Sequence, residues 1–137
     1  MKVNLDIING KIKKNPFASF LHFQAVQATG DSVTLVFHNR GTTWNNPNQT
    51  MYGGLLYAMA DSAMSLACEA AGKPVVTLDL AMNYLAPAWA DTCIRAVATL
   101  IHQGRTTMVG LCDFYDDRDR YLAHGRGTFF VTDKNEV

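Results

Sequence analysis

The chain of 137 residues has no net charge to spend on long-range attraction: Lys+Arg and Asp+Glu both number 12. That balance gives no field for nucleic acid or an anionic membrane surface. It also does little to keep copies of the chain apart, so self-association is expected. Cysteine is scarce, with only Cys68, Cys93 and Cys112, widely spaced and without a CxxC pair. An odd number in apolar runs excludes a disulfide framework and reads as reduced core thiols in a cytoplasmic protein. The four histidines, His22, His38, His102 and His124, show no HExxH-type spacing, so no metal is expected. No apolar run approaches the roughly 18 residues of a spanning helix. The start, "MKVNLDIINGKIKKNPF", lacks an apolar signal region, so no secretory leader is expected. The sequon at Asn48–Thr50 is then a chance match. Repeats, linkers and low-complexity tracts are missing too, and a single domain over 1–137 is expected.

What is present is a hydrophobic fraction of 48%, enough for one core, in a clear order. A short helix or turn near Pro16 precedes an edge strand, and "DSVTLVFHN" alternates as a half-buried strand should. A loop over 40–51 leads to a long apolar helix from about Gly53 to Ala71, stopped by Gly72-Lys73-Pro74. Four alternating segments follow: "VVTLDLAMNYL", "TCIRAVATLIH", "TTMVGLCDFY" and "YLAHGRGTFFV". In the first, Val76, Leu78, Leu80, Met82 and Tyr84 are expected on one face and Thr77, Asp79 and Asn83 on the other. One helix against five or six strands argues α+β, an antiparallel sheet curled around a central helix. Such a sheet keeps open edges, and pairing two of them between chains is one way to protect them.

Two features of the helix invite chemistry. It begins on Gly53-Gly54, and it carries Asp61 two turns in, among Leu, Ala and Met. A helix N-terminus exposes N–H groups and partial positive charge, and glycines there let a ligand approach the backbone. That makes an oxyanion hole one reading, and a tight loop-to-helix join the other. Asp61 reads either as a general base or nucleophile, or as part of a solvent-facing stripe with Ser62, Ser65 and Glu69. Eight residues separate Gly53 from Asp61, about 12 Å along the axis at 1.5 Å per residue. If both act on one carbonyl, they must come from different chains with antiparallel helices, as a twofold dimer provides.

The combination of Asn46, Tyr52-Gly53-Gly54, Asp61, "VTLDLAMNYLAPA" and "GRTTMVGLCDFYDD…RYLAHGRGTF" resembles the hotdog-fold acyl-CoA thioesterases, in the phenylacetate-pathway and 4-hydroxybenzoyl-CoA thioesterase-like group. The resemblance covers roughly residues 30 to 131 and decides both readings for chemistry. It implies a sheet wrapped around one helix, dimers commonly paired into tetramers, and hydrolysis of an acyl-CoA thioester with no cofactor beyond the CoA of the substrate. Asp61 would be nucleophile or general base, and the Gly53 N–H would polarise the carbonyl from the other subunit. Asn46 would position the carbonyl or a water, and Thr77 would orient the attacking water. One position departs: the family usually reads His-Gly-Gly where this chain has Tyr52-Gly53-Gly54. Tyrosine packs over the helix start and donates one hydrogen bond but supplies no imidazole. A binding or sensing protein on the same fold, without hydrolysis, is the alternative. A dehydratase is less expected, because no histidine lies in or beside the helix. Arg105, His124 and Arg126 are candidates for a CoA phosphate, with surface solvation the competing account of each. Leu56, Tyr57 and Met59 are candidates for the acyl pocket, although such residues more often belong to the core.

Overall fold

The computed structural model describes residues 5–132; residues 1–4 and 133–137, the ends of the single expected domain, lie outside the described residues. The order is α1 (Leu5–Lys14), α2 (Pro16–Phe20), β1 (Gln24–Ala28), β2 (Ser32–Asn39), α3 (Gly53–Ala70), β3 (Val75–Tyr84), β4 (Thr92–Gln103), β5 (Thr107–Tyr115) and β6 (Tyr121–Val131). The strands form one antiparallel sheet ordered β1-β2-β4-β5-β6-β3. Helix α3 touches β2 through β6. None of the helices among the described residues is long and apolar enough to cross a membrane.

The central helix needs a close seat. Gly110 of β5 lies directly opposite Gly127 of β6, and a Cβ at either position would stand within 3.3 Å of the Met64 side chain. The paired glycines form a notch that Met64 fills, so α3 lies low on the sheet. Met59, Met64, Leu35, Ile94, Met108, Phe114, Leu122 and Phe129 are fully buried around it. Each such side chain contributes about 1.5–3 kcal/mol through burial. The helix ends as its sequence suggests: Gly72 takes φ of 86°, and Lys73 N–H reaches back to the Cys68 carbonyl at 2.9 Å, a Schellman stop.

Helix α1 has no counterpart in the sequence reading, and it accounts for the polar stripe of α3. Lys11 approaches Glu69 at 3.9 Å, and a small crevice between the helices is lined by Asn15, Ser62 and Ser65. Those residues therefore face a neighbouring helix rather than open solvent. Helix α1 also blunts one sheet edge. The Asn9 carboxamide donates to the Ala25 carbonyl at 3.0 Å and accepts from the Ala25 N–H at 2.9 Å, occupying backbone groups that a foreign strand would otherwise pair with. The opposite edge, β3, has no such cover among the described residues, and its Val76 and Leu78 are 53% and 59% exposed.

The faces of β3 differ from strict alternation. Its pairing with β6 shifts between Thr77 and Asp79, where Leu78 is the extra residue. A bulge reverses the inside-outside pattern on one side of it. Thr77 lies opposite the inward Phe129, and Leu80 and Met82 lie opposite the inward Gly127 and Gly125. Thr77 thus shares the helix-facing side with Leu80, Met82 and Tyr84, while Val76 points away.

Candidate active site

The start of α3 is built by the loop before it. Tyr52 N–H bonds to the Trp44 carbonyl at 2.9 Å, and Met51 N–H to the Ala88 carbonyl at 2.7 Å. Asn46 organises the turn: its Oδ1 accepts from the N–H of Asn48 at 2.9 Å and of Thr50 at 3.3 Å, and its Nδ2 donates to the Thr50 hydroxyl at 2.8 Å. One Asn46 amide hydrogen is left for other work. The buried Asn39 adds a tie the sequence did not suggest, donating to the Asn45 side chain at 2.8 Å and the Trp89 carbonyl at 3.2 Å.

Tyr52 is the N-cap of α3 but makes no side-chain capping bond. The N–H groups of Gly53 and Gly54 have no acceptor among the described residues, whereas Leu55 N–H returns to the Tyr52 carbonyl at 3.0 Å. Two orphan donors therefore stand at the positive end of an 18-residue helix, where they stabilise negative charge. The two glycines differ in why they are glycine. A Cβ at Gly54 would stand 3.0 Å from the Tyr52 ring, which folds back over the helix. A Cβ at Gly53 would meet the Tyr84 ring at 3.5 Å, an ordinary contact, so packing within the chain does not demand glycine there. The Tyr84 hydroxyl donates to the Gly53 carbonyl at 2.7 Å. Burial, with Tyr57 nearby, holds the Tyr84 phenol above its usual pKa, so it remains a donor. Nothing in the sequence singled out Tyr84 as a site residue; only the pairing of β3 brings it to the helix start.

Asp61 sits where α3 passes β3, half-buried, and its Oδ1 accepts from the Thr77 hydroxyl at 2.7 Å. The bulge at Leu78 makes this contact possible, because it turns Thr77 inward. Below it, the Tyr57 hydroxyl donates to the Leu80 carbonyl and pins α3 to the same strand. Asp61 and Thr77 thus form one unit, while Asn46, Tyr52, Gly53 and Gly54 form another about two turns away. Within one chain the units do not meet at a common point.

The remaining candidates lie elsewhere. Met59 is wholly enclosed and Leu56 nearly so; Leu56 borders a groove of about 320 Å³ with Thr50, Tyr84 and Pro87. Arg105 is exposed in the β4–β5 turn, at the sheet end where α3 finishes. His124 and Arg126 flank Gly125, whose missing Cβ faces Ala60 of α3, so both point away from the helix. The His124 Nδ1 lies 2.8 Å from Asp113, which also accepts from the Tyr121 hydroxyl. That bond, followed by burial, pushes the Tyr121 phenol up to about 12. On the other side of the α3 start, Phe17, Trp44, Tyr52, Gly54, Leu55 and Ala58 line an apolar groove of about 330 Å³.

Residues 48–123 match the family model described as the thioesterase superfamily. The chain is 30% identical over 82 residues to the acyl-coenzyme A thioesterase PaaI of Escherichia coli (strain K12), covering 60% of this chain and 59% of that protein. It is 32% identical over 82 residues to acyl-coenzyme A thioesterase 13 of Homo sapiens, covering 58% and 59%. The match therefore spans less than two thirds of the length of these relatives. Among solved structures, an asparagine-to-aspartate mutant of the phenylacetic acid degradation protein PaaI from Thermus thermophilus aligns with a TM-score of 0.80 and 27% identity, covering 86% of this chain and 100% of that one.

Proposed function

The chain belongs to the thioesterase superfamily, and from that premise we propose that it hydrolyses an acyl-CoA thioester to the free acid and CoA at a site shared by two subunits. The observation that carries the proposal is the Thr77 hydroxyl, 2.7 Å from the Asp61 carboxylate on the β3 side of α3. It fixes one carboxylate oxygen and leaves the other to act. The naming of two relatives as acyl-CoA thioesterases supports the same substrate class.

In this reading the thioester carbonyl accepts a hydrogen bond from the Gly53 N–H of one subunit. The partner's Asp61 then either attacks the carbonyl carbon or removes a proton from the water that does. Negative charge develops on the carbonyl oxygen beside the orphan N–H groups, which are already oriented and need no reorganisation. The C–S bond breaks and CoA leaves as a thiolate that takes up a proton; where Asp61 is the nucleophile, water then cleaves the acyl–Asp61 anhydride, releasing the acid and restoring the carboxylate. The open β3 edge and the antiparallel approach of two α3 helices suit a twofold dimer, which pairs further into a tetramer.

Thiol release from a panel of acyl-CoAs tests the assignment, comparing wild type with Asp61→Asn and Asp61→Ala. Both variants are expected to lose about a hundredfold to ten-thousandfold in kcat; unchanged turnover in both would sink the role of Asp61. Tyr52 in place of the family's usual histidine keeps a second reading in play, an acyl-CoA-binding protein without hydrolysis. Tight acyl-CoA binding with no thiol release from wild type would decide for it.

A further inference from the structure

Two grooves flank the start of α3, and their chemistry differs. One is lined by Thr50 and Tyr84 together with apolar residues that include Met51, Leu56 and Leu85. The other has no charged residue among those lining it and is walled by Phe17, Trp44, Tyr52 and Leu55, with Gly54 and Ala58 as its floor. Its aromatic wall is held in place rather than loosely splayed. Trp44 packs edge-on against Phe20 and Phe37, with ring centroids 6.1 and 5.7 Å apart. Tyr52 is 66% exposed, and its ring lies against the side of Gly54 where any other residue would carry its Cβ. Gly54 and Ala58 lie on the stretch of α3 between the β3 side and the α1 side, the stretch along which an antiparallel partner helix must approach.

We infer that this groove receives the acyl group of the substrate, and that Tyr52 is a specificity-determining residue that closes it to a compact apolar chain. The inference rests on the hydrolase reading for the position of the thioester. A carbonyl bonded to the Gly53 N–H has its two substituents directed to the two sides of the helix start. The pantetheine arm, with its amides, suits the groove that carries Thr50 and Tyr84, which leaves the aromatic-walled groove to the acyl chain. A space of about 330 Å³ lies at the small end of ligand pockets, which run from about 300 to 1,000 Å³. It admits a hexanoyl group with room to spare, and the Tyr52 ring beside Gly54, rather than volume alone, closes it to a palmitoyl chain. A histidine at position 52 would present a smaller, more polar wall, so the Tyr52 departure tunes which acyl group binds.

The experiment compares acetyl-CoA, hexanoyl-CoA and palmitoyl-CoA in two readouts. In thiol release, kcat/KM is expected to rise about a hundredfold from acetyl to hexanoyl, from burial of four further methylenes, and to rise no further for palmitoyl. Tyr52→Ala should lower the hexanoyl-to-acetyl ratio about tenfold, with Tyr52→Phe restoring it and both variants matching wild type in thermal unfolding. Binding is read separately in an Asp61→Asn, Trp89→Phe protein, where Trp44 is the one remaining tryptophan. Hexanoyl-CoA should change Trp44 emission and acetyl-CoA should not. Thiol release with equal kcat/KM for acetyl and hexanoyl, together with silent Trp44, would overturn the groove assignment and leave the hydrolase reading standing. A Trp44 response with no thiol release from wild type would support the groove and remove the hydrolase. Silence in both readouts removes both.

Discussion

The duties proposed for Gly53 and Thr77 can be isolated by substitution. Gly53 is the first residue of α3 and Tyr52 before it has φ of −57° and ψ of 129°, an extended conformation that tolerates a following proline. Proline is well suited to this first helical position because the N–H it lacks is an orphan there. Gly53→Pro is therefore expected to fold with an unchanged melting temperature while losing the donor proposed for the carbonyl oxygen. Loss of one such donor corresponds to about a hundredfold to a thousandfold in kcat. A variant with wild-type turnover would show that this N–H takes no part. In the proposed site Thr77 acts through its hydrogen bond to Asp61 rather than on substrate, so Thr77→Ala should lower kcat by about tenfold to a hundredfold with little change in KM. Thr77→Ser keeps the hydroxyl and should recover most of the rate; failure of serine to do so would mean that the methyl group, not the hydrogen bond to Asp61, is what matters.

The elements show which parts of this arrangement can be read from one sequence. The α3 boundaries were legible because glycine, lysine and proline after Ala71 leave no way to continue a helix, and Gly53-Gly54 marks its start. The faces of β3 were not, because a bulge at Leu78 leaves no signature in "VVTLDLAMNYL". Strict alternation puts Thr77 beside Asp79, whereas the shift puts it beside Asp61. Helix α1 was missed for a related reason: its sequence, with Gly10, Asp6 and the lysines at 11, 13 and 14 around two buried isoleucines, gains its stability from α3 and β1 rather than from its own propensity. The β5–β6 turn carries a device of its own in Asp116. Its enclosed carboxylate accepts from the N–H groups of Arg118 and Arg120 at 2.9 and 3.0 Å and from the Arg120 guanidinium at 2.7 Å. Burial alone would raise its pKa, but these donors outweigh burial and hold it below the ordinary 3.8. A lowered folded pKa means stability that is complete above the unfolded value and lost as pH falls through the folded one. Asp116→Asn should cost about 1–3 kcal/mol at neutral pH and flatten the loss of stability that wild type shows below about pH 4. Urea midpoints at pH 7 and pH 3 check this, and parallel losses in the two proteins would refute it.

At the scale of the whole molecule, the strongest constraint is that one chain cannot complete the proposed site. The Gly53 donor and the Asp61–Thr77 pair are separated by about 12 Å of helix, and α3 is too rigid to bring them together. The two sheet edges point to the same solution: β1 has the backbone N–H and carbonyl of Ala25 occupied by Asn9, while β3 leaves Val76 and Leu78 exposed beside the Asp61–Thr77 pair. Pairing at β3 would cover that apolar edge and set two α3 helices antiparallel, giving two equivalent sites related by the twofold axis. This makes a prediction that a site contained in one subunit cannot share. Gly53→Pro and Asp61→Ala homodimers should each be nearly inactive, since each lacks one half of both sites. A heterodimer of the two variants has one site with both halves impaired and one fully intact, drawing its N–H from the Asp61→Ala chain and its carboxylate from the Gly53→Pro chain. Unfolding and refolding an equal mixture yields about half heterodimers by random assortment, so about one quarter of wild-type activity should return. Thiol release from the refolded mixture, measured against each variant refolded alone, reads the outcome directly. Activity that never exceeds the mean of the two parents would place both groups of a working site in the same chain and overturn the shared-site arrangement.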